Sequence, residues 1–82
     1  MIIVTENERK LVRAFVESLQ IPEDRVGPDL VYGSSKWDSV AHMTLMAAIE
    51  SEFNILIDTD DVIDFSAYNK GKEIISKYGV KF

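Results

Sequence analysis

The chain has 82 residues, 46% hydrophobic and 28% charged, which predicts one small domain over residues 1–82 with an ordinary globular balance. It contains no cysteine, which excludes disulfides and thiolate metal sites and leaves helix packing to hold a small, plastic core. Fourteen acidic residues against nine basic ones give a net charge of −5 without a basic stripe, which argues against nucleic acid and anionic membranes and favours basic patches on other proteins.

Met1-Ile2-Ile3-Val4 is too short for a signal sequence and is followed at once by Glu6, Glu8, Arg9 and Lys10. With no run near 20 apolar residues for membrane insertion, the expected location is the cytoplasm. Thr5 and Glu8 have capping-box spacing, and Leu11, Val12, Phe15, Val16 and Leu19 then recur at helical intervals, which predicts a first helix ending near Gln20. From Ile21 to Trp37 the residues Pro22, Gly27, Pro28, Gly33, Ser34 and Ser35 break both periods. A loop of that length is often functional. A short helical turn is expected near Glu23 to Val26, and Leu30, Val31 and Tyr32 are expected to tack the loop onto the core.

The second helix is expected from Ser39 to Phe53. Thr59 is expected to cap a short third helix containing Asp60, Asp61, Val62 and Ile63, with its acids at the favourable end. Ser66, with Asn69 three residues on, is expected to open a fourth helix with an apolar face of Tyr68, Ile74, Ile75 and Tyr78 and a stop at Gly79. Gly71 within it marks either a close crossing or a soft helix. The fold class is therefore all-α, a small four-helix bundle with three principal helices and a short third one.

The second helix has more apolar surface than a bundle needs. At about 100° per residue, His42, Leu45, Met46, Ile49 and Phe53 share a core-facing arc to one side of Ser39. Val40, Met43 and Ala47 share another, interleaved with Thr44, Glu50, Ser51 and Asn54. Such a patch beside an exposed serine suits transient docking, although burial on three sides would also account for it. Ser39 itself stands at a helix start, where the helix dipole favours an attached phosphate; capping alone would also explain a polar residue there.

Asp38-Ser39-Val40, followed by His42-Met43, Leu45-Met46, Ile49-Glu50, Glu52-Phe53, Ile55, Ile57 and an acidic short helix, resembles the acyl carrier protein family. The resemblance runs from about Leu30 to Tyr78, with the preceding helix and loop consistent in length and placement. It implies that Ser39 receives a 4′-phosphopantetheine arm from coenzyme A by the action of a phosphopantetheinyl transferase. It implies too that Asp38 caps the helix and contacts that enzyme, and that the monomeric chain carries acyl thioesters between loading and transfer enzymes, as in fatty acid biosynthesis and other lipid metabolism. Val40, Met43, Ala47, Glu50, Asp60 and Asp61 form the expected partner face, to which basic docking patches would bind. A core of this family that shelters an acyl chain would place His42 and Met46 near the entrance.

Val40 stands where the family motif usually has leucine, and Ala41 and Thr44 where carriers of primary fatty acid synthesis often have acids. The thinner acidic rim points to a carrier dedicated to a particular pathway. Aminoacyl or peptidyl carriers share the same serine chemistry and remain an alternative, as does an unmodified helical adaptor docking through Val40, Met43 and Ala47. Trp37 is expected to anchor the loop and Lys36 to be solvated. A hydrolase reading would pair Ser39 with His42 and recruit Asp38, but no oxyanion hole or oriented base is in sight and His42 lies on the core arc, so no enzymatic activity is expected. A calcium loop beginning at Asp58 fails because its sixth position is Ile63 and its twelfth Asn69, so no metal site is expected.

Overall fold

The computed structural model describes residues 5–34 and 36–82; Met1 to Val4, read above as too short for a signal, and Ser35 of the loop lie outside the described residues. Four α-helices follow one another: α1 (Glu6–Leu19), α2 (Ser39–Phe53), α3 (Thr59–Asp64) and α4 (Tyr68–Ser76), with a short 3-10 turn at Glu23–Arg25. The described residues contain no strand, only an isolated bridge between Val31 and Ala67. This is the small all-α bundle expected from the sequence.

Local chemistry sets most of the helix ends. Thr5 Oγ1 accepts the Glu8 amide at 3.0 Å, which starts α1. Both long helices end on a left-handed residue, Gln20 and Asn54, each at φ 55°. The expected caps of α3 and α4 do not act as caps. Thr59 is the first residue of α3, behind Asp58, and neither gives it a side-chain cap. α4 starts at Tyr68 rather than Ser66, because the chain before it pairs with the loop: Tyr32 donates its amide to the Ser66 carbonyl at 2.8 Å, and Tyr68 donates to the Leu30 carbonyl at 3.0 Å.

The long loop is therefore tied down through its backbone. Leu30 is buried, as expected, whereas the side chains of Val31 and Tyr32 stay largely exposed. Trp37 is 1% exposed and anchors the loop's far end.

Leu11 and Phe15 of α1, Leu45 and Ile49 of α2 and Ile75 of α4 meet in one fully buried core. Burying each such side chain stabilises the fold by roughly 1.5–3 kcal/mol before its entropy cost. Gly71 does mark a close approach, made by a ring rather than by a helix. A Cβ there would overlap the Phe65 side chain, so α4 accepts that ring only where it has no side chain of its own. Glu8 fastens α4 to α1, its Oε2 accepting from Lys72 Nζ at 2.9 Å and from the Tyr68 hydroxyl at 3.3 Å. Burial, and then the charge of Glu8, push the Tyr68 phenol well above its ordinary range.

Candidate functional site

The start of α2 is built around Asp38. Its extended backbone turns the chain into the helix, and its Oδ1 accepts the Ala41 amide at 2.9 Å while its carbonyl accepts the His42 amide at 2.8 Å. Ser39 is the first helical residue and is exposed. Along α2 from it, Val40 is 75% and Met43 60% exposed, and Ala47 is exposed as well. The second apolar arc thus lies uncovered. By contrast His42, Leu45, Met46 and Ile49 are buried and Phe53 half-buried.

Two further apolar side chains, Leu56 and Ile63, are exposed near this surface chemistry and had no place in the sequence-based site. The available signal for Ile63 was an apolar residue set among Asp60, Asp61 and Asp64 on a short helix. The acids of the expected partner face differ from one another. Glu50 Oε2 accepts the Ile57 amide at 2.9 Å and so closes the turn after α2. Asp61 accepts from Lys77 Nζ at 2.7 Å and from the Tyr78 hydroxyl at 2.6 Å. Lys77 first, and Tyr78 after it, hold the Asp61 carboxyl below its ordinary value. Asp38, Asp60 and Asp64 are exposed.

Beside Ser39 an open cleft of about 370 Å³ separates α2 from α3. Ser39, Met43, Ile63 and Tyr32 stand around it, and His42 and Phe65 face it from below. His42 is held at both ring nitrogens. Trp37 Nε1–H has only a proton to give, so Nδ1 accepts at 2.9 Å, and Nε2–H of the neutral ring donates to the Val62 carbonyl at 2.8 Å. Neither nitrogen is left to take a proton from Ser39.

Residues 9–68 match the family of the phosphopantetheine attachment site. The chain belongs to that family. The match spans α1 from Arg9, the whole loop, α2 and α3, and ends at the first residue of α4. It bears out the resemblance to acyl carrier proteins, whose domains take 4′-phosphopantetheine covalently and typically serve as carriers rather than catalysts. No curated protein and no solved structure matches the chain. No helix among the described residues is long and apolar enough to cross a membrane.

The residues at the start of α2 fit such a group. A carrier domain needs an accessible hydroxyl, which Ser39 has, and room beside it, which the cleft supplies. Asp38 satisfies the amide of Ala41, while those of Ser39 and Val40 have no partner among the described residues and lie where the helix dipole favours an anion.

Proposed function

We propose that this carrier domain bears its arm on Ser39 and moves acyl groups as thioesters between partner enzymes, itself catalysing nothing. The observation that carries this reading is the position of Ser39: exposed, first in α2, within Asp38-Ser39-Val40 and inside the matched segment. The arm supplies a terminal thiol for thioester formation. What the chain's own residues do is simpler. Asp38 holds the helix start, Ser39 offers its oxygen, and a partner enzyme's base takes the proton.

Val40, Met43 and Ala47 form the apolar part of the docking face, and Asp60 its main free charge toward basic partners, with Asp38, Glu50 and Asp61 partly spent on internal bonds. The first partner is a phosphopantetheinyl transferase, and the others load and accept the acyl group. The low acidity around Ala41 and Thr44 supports service in one dedicated pathway, in the cytoplasm.

The test is intact mass after incubation with coenzyme A and a broad-specificity phosphopantetheinyl transferase, for wild type and Ser39→Ala. Wild type should gain one phosphopantetheine and Ser39→Ala none. A folded wild type that gains nothing from several transferases would favour the unmodified adaptor.

A further inference from the structure

The cleft beside Ser39 has a hard floor. His42 and Phe65, 6.1 Å apart at their centroids, form its inner wall, and Trp37 and Phe15 stand behind them. Trp37 stacks on His42 at 5.9 Å and meets Phe65 at 6.2 Å, while Phe15 meets Trp37 at 5.2 Å and Phe65 at 6.2 Å. All four rings are buried.

None of these rings has an easy way out. His42 is bonded on one side to the loop and on the other to α3. Phe65 rests on the backbone of Gly71, with no room to sink toward α4. A wall of aliphatic side chains yields by changing rotamers, one after another; here a methylene chain entering the bundle would have to displace stacked aromatic rings and break the two hydrogen bonds of His42, one buried and one part-buried. Outside that wall, the cleft is lined by the apolar Met43 and Ile63 and by Tyr32 and Ser66.

We infer that the cargo of this carrier is a short acyl group of a few carbons, seated in the cleft between α2 and α3, and not a fatty chain sheltered inside the bundle. The inference rests on Ser39 as the attachment point. It replaces the expectation of an interior pocket entered past His42 and Met46.

The experiment loads wild type with coenzyme A, butyryl-coenzyme A and dodecanoyl-coenzyme A through a broad-specificity transferase, confirms each product by mass, and compares methyl spectra. Butyryl should move the Met43 and Ile63 methyls, and neither acyl form should move those of Leu45, Ile49 or Ile75. Hydroxylamine should cleave the dodecanoyl thioester as fast as the butyryl one. Core methyl shifts in the dodecanoyl form, with cleavage slowed by about tenfold or more, would overturn the inference, since a sheltered thioester reacts only when its shelter opens.

Phe65→Leu, which thins the wall, should gain both signatures with dodecanoyl; a folded variant that gains neither would show that the wall does not set chain length. Absence of any mass gain in wild type would instead overturn the carrier reading itself.

Discussion

Trp37 and His42 lock together at the foot of the serine loop: the indole N–H donates to Nδ1 at 2.9 Å, and the rings stack with centroids 5.9 Å apart. Trp37→Phe keeps a ring but removes the donor and strands a buried acceptor. It should cost about 1–3 kcal/mol in urea unfolding. His42→Ala should likewise destabilise the fold yet leave Ser39 modifiable. Loss of modification in a still-folded His42→Ala protein would restore a chemical role for the imidazole.

Gly71→Ala sets two effects against each other. Alanine improves helix propensity by about 1 kcal/mol, whereas the new methyl collides with the Phe65 ring, which is 1% exposed and cannot step aside. Overpacking of this kind costs about 1–3 kcal/mol, so the variant should be less stable. Phe65→Leu should recover part of the loss in the double variant, and a double-mutant cycle showing no coupling would refute the collision.

Asp38→Ala deletes the cap that Ala41 uses. About 1 kcal/mol of stability should go with it. Asp38→Ser should restore the stability without restoring the rate of phosphopantetheine transfer, if the carboxylate also meets the modifying enzyme as proposed. Equal transfer rates for the serine variant and wild type would confine Asp38 to capping.

The Asp61 cluster should impose a pH dependence. Asp61 is held below the ordinary carboxylate value of 3.8 by Lys77 and then Tyr78, so its contribution is in full above that value and disappears as pH falls through the lower folded one. Asp61→Asn should therefore be less stable than wild type at neutral pH, with the gap closing in strong acid. On the alkaline side Lys77 and Tyr78, both raised by their bonds to Asp61, lose their contributions as pH climbs through their folded values. A gap that stays constant with pH in thermal melts would mean that the bonds in this cluster do not govern stability.

Val40→Ser and Met43→Ser alter side chains that are 75% and 60% exposed. Stability should change by no more than about 0.5 kcal/mol, while KM for the transferase should rise. Unchanged transfer kinetics in both would remove this strip from that docking face.

Much of this architecture could be read directly from residue patterns, because it depends on neighbours close in sequence. Thr5 caps the amide three residues on, and the arc from His42 to Ile49 repeats at helical spacing, so α1 and α2 were legible nearly to the residue. Ser66 misled because its carbonyl is claimed by Tyr32, far away along the chain. Glu8 looked like half of a capping box and instead reaches Tyr68 and Lys72 on α4. Glu50 and Asp61 looked like free surface charges for the same reason: their partners, Ile57, Lys77 and Tyr78, arrive only through folding. Trp37 as an anchor was expected, but the ring wall it shares with His42, Phe65 and Phe15 joins two helices, the long loop and the residue just past α3, and no single stretch of sequence displays it.

The paired bonds that join Tyr32 to Ser66 and Leu30 to Tyr68 make the loop before Ser39 a bracket rather than a tether. With the arm on Ser39, as proposed, its pivot is stationary in the body of the domain, and the reach of any cargo is the length of the arm alone. Two enzymes whose catalytic centres lie farther apart than that cannot be served from one docked position. The whole domain must let go and travel, so the pace of relay is limited by how quickly each docked complex comes apart.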